Sequence, residues 1–162
     1  MLIGLMSDSH DHIGHMHRAC AVFQERRVAL LIHAGDMVSP GALRSLQMAN
    51  VAAVFGNNDG EKQGLLQLFH ERDWRLQGDF LEVTVDEKQM AVYHGTYPPL
   101  RDALIASGHY HYVVYGHTHQ PENRRIGATL ALNPGTAHGF GARATVMLLN
   151  TLHDDVELID LG

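Results

Sequence analysis

The sequence predicts an α/β (α+β) fold in which two mixed β-sheets pack as a sandwich flanked by helices. Three observations carry that expectation. Up to residue 72, short apolar runs alternate with segments whose apolar residues recur every three or four positions, the pattern of strands joined by crossover helices. From residue 80 the chain becomes strand-rich, with alternating runs and little helical periodicity. Many of these runs stop at a turn bearing Asp, His or Asn, and open α/β sheets gather their ligands beyond the carboxyl ends of their strands. At 162 residues the chain is long enough to bury about two-thirds of its unfolded surface as one domain, residues 1–162.

Leu2 to Met6 is a compact apolar run and reads as a central strand. It delivers Asp8-Ser9-His10-Asp11, where Ser9 or Asp11 suits the N-cap of the following helix. That helix, residues 12–27, places Ile13, Met16, Ala19, Cys20 and Phe23 on one face. His12, His15 and His17 fall on or beside the exposed side, with His12 a candidate outer partner of the site. Residues 28–32 form a second strand, which ends in His33-Ala34-Gly35-Asp36; His33 precedes the turn and reads as a core or supporting histidine. Ser39-Pro40 supply the N-cap and first position of a helix over residues 40–49. Residues 51–55 form a third strand, ending in Gly56-Asn57-Asn58-Asp59-Gly60. Taken alone this is turn chemistry. As the third polar cluster in succession at a strand end, it raises Asn57 as an amide-oxygen ligand. Residues 61–72 read as a helix with Leu65, Leu66, Leu68 and Phe69 inward.

Residues 80–85 and 89–93 read as an antiparallel hairpin whose second strand stops at His94-Gly95. Pro98-Pro99 bar its continuation, and residues 100–107 form a short helix. His109 and His111 are expected at the surface. Residues 112–115 are β-branched and aromatic, a buried strand that runs into Gly116-His117-Thr118-His119. Short strands follow at 124–126, 129–132, 144–149 and 156–161. Between them, residues 133–139 form a polar turn, either a plain connection or one whose backbone N–H groups hold a phosphate oxygen.

Composition narrows the functional classes. Apolar residues make up 45% and charged residues 19%, a soluble globular balance. Twelve basic against 18 acidic residues give a net charge of −6, which argues against an extended nucleic-acid surface but permits a small phosphate site with bound cations. The lone cysteine, Cys20, allows neither an internal disulfide nor a thiolate zinc site. No stretch approaches the ~20 apolar residues of a membrane span and no signal peptide is evident, so cytoplasmic residence is expected.

Asp8, His10, Asp36, Asn57, His94, His117 and His119 all fall at strand ends. Seven oxygen and nitrogen donors are too many for one four-coordinate ion. They suit two ions about 3.5–4 Å apart with a bridging carboxylate, the arrangement that clamps attacking and leaving oxygens in phosphoryl chemistry. The donor mix suits Mn, Fe or Zn; Mn²⁺ is the expected ion, with Zn²⁺, Fe²⁺ and Ni²⁺ as alternatives.

On these residues the chain resembles the calcineurin-like metallophosphoesterases. The motifs stand in order from residue 8 to 119: Asp8-Ser9-His10, Gly35-Asp36, Gly56-Asn57, His94-Gly95 and Gly116-His117-Thr118-His119. Any one is weak; five in order are strong. The short length and Asn133-Pro134-Gly135 look like the small bacterial and archaeal phosphodiesterase branch. The resemblance implies the metallophosphoesterase fold, with one ion held by Asp8, His10, Asp36 and His119. It implies a second held by Asp36, Asn57, His94 and His117. Asp36 would bridge, together with a water or hydroxide as the nucleophile, and Asp36, Asn57, Asn58 and His117 are the catalytic candidates. One position departs: many members carry histidine after the Gly-Asn pair, and the small branch often cysteine, where this chain has Asn58. Protonation of the leaving group from that position is therefore in doubt. The expected substrate is a small phosphodiester. A phosphomonoesterase, a nuclease and a non-catalytic scaffold like the retromer subunit of this fold are the competing readings, and homo-oligomerisation is left open.

Overall fold

The computed structural model describes residues 1–162. In chain order its elements are β1 (Leu2–Met6), α1 (Ile13–Glu25), β2 (Leu30–His33), α2 (Pro40–Leu43), β3 (Val51–Ala53), α3 (Lys62–Glu71) and β4 (Arg75–Leu76). There follow β5 (Phe80–Val85), β6 (Lys88–Tyr93), α4 (Pro98–Ala106), β7 (Tyr112–Val114), β8 (Glu122–Ile126), β9 (Thr129–Asn133), β10 (Thr145–Asn150) and β11 (Asp155–Asp160). Two mixed sheets result. The six-stranded sheet runs β11-β10-β1-β2-β3-β4 and the five-stranded sheet β5-β6-β7-β9-β8. β1 through β4 are mutually parallel, as are β6, β7 and β9; β10 and β11, like β5 and β8, run antiparallel to their neighbours.

The period-2 alternation of the strands sorts the core into layers. Ile3, Leu5, Ile32 and Val54 of the first sheet meet Leu81, Met90, Val92, Tyr112, Val114 and Leu132 of the second between the sheets. The opposite face of the first sheet, with Met6, Leu31 and Ala53, packs on Met16 and Phe23 of α1 and on Leu65 and Phe69 of α3. Gly4 permits the approach of α1: a Cβ there would sit 2.9 Å from the Phe23 ring. Ala91, Val113 and Ala131 on the outer face of the second sheet receive Ile105 of α4. This is the expected two-sheet sandwich with helices outside.

Several local expectations are corrected. The helix expected over 40–49 ends at Leu43. Beyond it Ser45 and Leu46 make tighter bonds to Ala42 and Leu43, and the Gln47 and Met48 carbonyls are taken by Gln24 and Trp74 side chains. Pro98 and Pro99 do not precede α4 but open it, at positions whose N–H groups need no helical partner. The α1 cap is neither Ser9 nor Asp11 but His12, whose Nδ1 accepts from the His15 N–H; Asp11 instead accepts from the Ser39 hydroxyl. Ile13 and Leu66 face solvent rather than the core. β4, a two-residue edge strand, carries too little pattern to be read from sequence.

Candidate metal centre

The parallel strands β1, β2, β3, β6 and β7 hand their chains to loops on one rim, and those loops are laced together. The Asp8 N–H donates to the Gly35 carbonyl at 3.0 Å and the His10 N–H to the Asp36 carbonyl at 3.1 Å. On the second sheet the Gly116 N–H donates to the His94 carbonyl at 2.9 Å. The His117 N–H then crosses between sheets to Asp8 Oδ2, at 3.1 Å. The fit leaves no room for a side chain at Gly35, Gly56 or Gly116. A Cβ on Gly35, whose φ is 98°, would meet the Gly56 nitrogen and His94 Nδ1 below 3 Å, and one on Gly116 would collide with the Ser7 hydroxyl.

Within this frame the seven expected ligands lie along one rim, and five of them form two overlapping clusters that share Asp8. Ligand atoms of Asp8, His10 and His119 lie within 4.8 Å of one another, and so do those of Asp8, Asp36 and His94. His119 Nε2 is 3.1 Å from Asp8 Oδ1, and His94 Nε2 is 3.3 Å from Asp36 Oδ2. His10 Nε2 stands 3.6 Å from Asp36 Oδ2. Asn57 Oδ1 approaches His94 Nε2 at 3.1 Å, and the His117 ring lies edge-on to the His94 ring, centroids 5.2 Å apart. Asn57 and His117 therefore border the second cluster rather than sit in its tightest part. Asp8, Asp36 and His94 are buried; His10, His117 and His119 are half-buried.

Asp8, His10, Asp36, His117 and His119 all have positive φ, between 40° and 66°. Non-glycine residues in that region cost on the order of 1–3 kcal/mol each and persist where the surroundings over-determine them. The run of left-handed donors is a second mark of a functional rim.

The donors fit divalent cations. His94 Nδ1–H donates to the Ala34 carbonyl at 2.7 Å, which leaves Nε2 to face Asp36 Oδ2 and Asn57 Oδ1. A bare nitrogen facing two acceptor oxygens is stable only with a cation or a proton between them. His10 Nε2 is buried with no hydrogen-bond partner, another lone pair turned inward. With a proton in the cation's place, burial lowers the His94 pKa, but the Asp36 hydrogen bond and the charges of Asp8 and Asp36 more than offset this and raise it. Burial alone would raise the Asp36 pKa; hydrogen bonds from His94 and Asn58 reverse this and hold it well below the carboxylate range. Burial and the nearby His94 lower the His117 pKa, so its ring is a neutral donor.

Supporting groups fix these atoms. Asp8 Oδ2 accepts from the Ser7 hydroxyl at 2.6 Å as well as from His117 N–H. Asn58 bonds Asp36 twice, backbone N–H to Oδ1 and side-chain amide to Oδ2, both at 2.8 Å. Asp59, which reads in sequence as part of a turn, is a buried strut: its carboxylate accepts from the N–H groups of Asp36, Val38 and Gly56. His33 is a core histidine, as expected. Its Nδ1 accepts from Gly35 N–H and its Nε2 pairs with the Ser9 hydroxyl. His15 departs from the expected solvated position: it stacks on His12 with centroids 3.8 Å apart and bonds the Ala137 and His138 carbonyls. The 133–139 turn does not hold a phosphate with free N–H groups. The Ala137 and His138 N–H groups go to the Ser7 and Asp8 carbonyls, and those of Gly135 and Gly139 to Asn133 and Thr136 side chains. It is a strap that holds the Asp8 loop.

A sandwich of two mixed sheets whose common rim gathers carboxylate, imidazole and amide donors is the build of a metal-dependent hydrolase of phosphoric esters. The chain belongs to the calcineurin-like phosphoesterase superfamily, whose domain profile matches residues 1–154. It is 34% identical over 143 residues to a phosphodiesterase of Methanocaldococcus jannaschii, covering 86% of each chain. Among solved structures, one described as a novel archaeal phosphodiesterase superposes with a TM-score of 0.92 at 32% identity, over 99% of both chains. Vps29 from Entamoeba histolytica, solved with Zn²⁺, shares the fold at a TM-score of 0.66 and 18% identity over the full length of both chains. Family membership carries divalent metals with it, and Asp8, His10, Asp36, His94 and His119 are the clustered residues that could hold them. No helix is long and apolar enough to cross a membrane.

Proposed function

We propose that residues 1–162 act as one metallophosphoesterase domain that hydrolyses small phosphodiesters in the cytoplasm with two divalent ions, Mn²⁺ before Zn²⁺, Fe²⁺ or Ni²⁺. The observation that carries this reading is His94 Nε2 facing Asp36 Oδ2 and Asn57 Oδ1, beside the cluster of Asp8, His10 and His119. Asp8, His10, Asp36 and His119 would hold one ion, and Asp36, Asn57, His94 and His117 the other. When bound, such a pair lowers the pKa of water to supply a nucleophile and neutralises phosphate charge.

The chain's own residues do the positioning. Asp36 is anchored by Asn58 and lies within reach of His10 and His94, while Asp8 is common to both clusters; the bridge is assigned to Asp36 on the family resemblance. The Ala34 carbonyl selects the His94 tautomer that presents Nε2. Ser7 and His117 N–H hold Asp8 in one orientation. Asn58 has its amide committed to Asp36 and gives the leaving group no proton. The net charge of −6 and the small cavity beside Asn57 and His94, about 340 Å³, favour a small diester over a polynucleotide.

The test is a screen of diesters, monoesters and oligonucleotides on metal-stripped protein, with Mn²⁺, Mg²⁺, Zn²⁺ and Ni²⁺ added back singly. Diester turnover restored by metal is expected, with Mn²⁺ most effective. Turnover of monoesters or oligonucleotides alone would replace this reading, and none with any metal would favour the scaffold.

A further inference from the structure

Beside Asn57 and His94 a cavity of about 340 Å³ opens at the rim. That volume is at the lower end for small-molecule sites and holds one ring with its substituents, not a polymer. Its walls are unlike the polar floor. Phe55, Tyr93, Tyr97 and Leu100 supply its apolar lining, and Lys62 and Asp79 its charged groups. Tyr97, the N-cap residue of α4, is 68% exposed and Leu100, in its first turn, 49%. Tyr97 is held there, since its N–H donates to the Tyr93 hydroxyl at 2.9 Å. Lys62, from the start of α3, places Nζ 4.7 Å from the Phe55 ring centroid, at the cavity's edge. It has no carboxylate partner.

We propose that this cavity is the subsite for one ester group of the substrate, and that Tyr97, Leu100 and Lys62 make it selective for a flat aromatic ring with a hydrogen-bond acceptor or negative charge on its far edge. The inference rests on the phosphodiesterase reading and names the substrate class within it. A phosphorus atom over the metal floor puts its ester oxygen at the mouth of the cavity. A planar group on that oxygen would pack against the exposed Tyr97 and Leu100 side chains, where aromatic contacts are worth more than the area they bury. Lys62 then meets the ring's outer edge as the one unpaired cation on the wall. An alkyl group leaves both features unused.

The test uses metal-loaded protein and phosphonates, which keep their P–C bond. Affinities for methylphosphonate, phenylphosphonate, 4-carboxyphenylphosphonate and inorganic phosphate are measured by calorimetry. In the wild type, phenylphosphonate should bind on the order of tenfold more tightly than methylphosphonate. The carboxyl group should add up to about fivefold. Tyr97→Ser should bring phenyl and methyl close to parity with inorganic phosphate affinity unmoved. Lys62→Met should erase only the carboxyl increment. A phenyl preference that survives Tyr97→Ser and Leu100→Ser overturns the proposal. So does a loss in Tyr97→Ser that is equal for inorganic phosphate, because Tyr97 would then support the metal floor and not the ring. Failure of the phosphodiesterase reading shows separately, as absence of diester turnover in wild type.

Discussion

Asn58 stands where the family resemblance implies a histidine or cysteine, and its geometry shows what it does. Its backbone N–H and its side-chain amide each bond one oxygen of Asp36. An amide so committed steers a carboxylate and donates no proton to a departing alkoxide. A positioned general acid contributes about 10²–10⁴-fold, mostly for leaving groups that need protonation. Wild-type kcat/KM should therefore fall steeply as leaving-group pKa rises, with aryl diesters fast and simple alkyl diesters slow. Asn58→His should flatten that dependence at saturating metal, yet weaken metal binding by roughly 10–100-fold, as loss of a supporting partner usually does. A flat dependence in the wild type would show that another group already supplies the proton. Asp36→Ala should be far more severe than His138→Ala, since Asp36 faces both His10 and His94. Elemental analysis should find both ions depleted and turnover abolished. Near-normal metal content in Asp36→Ala would remove it from the bridging position.

β2 shows how an element couples fold to site. Its last residue, His33, is fully buried between Ser9 and Gly35, and burial, with the nearby His94, pushes its pKa down to about 3. The folded protein thus keeps His33 neutral while the unfolded chain protonates it near 6.5. A folded-state pKa below the unfolded one means that this contribution is complete above pH 6.5 and is lost as pH falls from 6.5 towards 3. Its slope there is at most about 1.4 kcal/mol per pH unit. Denaturant titrations of metal-free protein should show a shallower loss below pH 6.5 in His33→Gln than in wild type; equal slopes would place the pH dependence elsewhere. Legibility also divides by element. β1, β5, β6 and β7 were readable because apolar alternation or a continuous apolar run fixes them, and the clustering of Asp8, His10, Asp36, His94 and His119 was readable because each follows such a run. The end of α2 and the capping role of His12 were not, because side chains distant in sequence, Gln24, Trp74 and Ser39, redirect the backbone there. Asp59 was hidden for a different reason: in sequence a buried strut and a turn aspartate look alike.

Over the whole molecule the donors divide between the sheets. Asp8, His10, Asp36 and Asn57 follow strands of the first; His94, His117 and His119 follow strands of the second. The apolar layer between the sheets joins them along their length, while at the rim few direct bonds cross, among them His117 N–H to Asp8 and His94 Nδ1–H to Ala34. Ions held from both sides would tie the rim together, and a ligand that binds only the folded state stabilises it by mass action. At a free metal concentration of about 100 times Kd the gain for one site is about 2.7 kcal/mol. For a chain of this size each kcal/mol moves Tm by about 2–4 °C, so loading should raise Tm by roughly 5–10 °C per site and chelation should reverse it. Metal binding should also compete with protonation of His94, whose pKa Asp36 and Asp8 raise against the lowering by burial, so affinity should rise with pH through that pKa. Asp36→Ala, which removes the carboxylate within reach of both His10 and His94, should lose most of the metal-dependent rise in Tm while its metal-free Tm stays measurable. Scanning calorimetry with and without chelator on both proteins decides the matter. A wild-type Tm indifferent to chelation, with elemental analysis showing the ions gone, would mean that the two sheets hold the rim unaided and that the metals belong to chemistry alone.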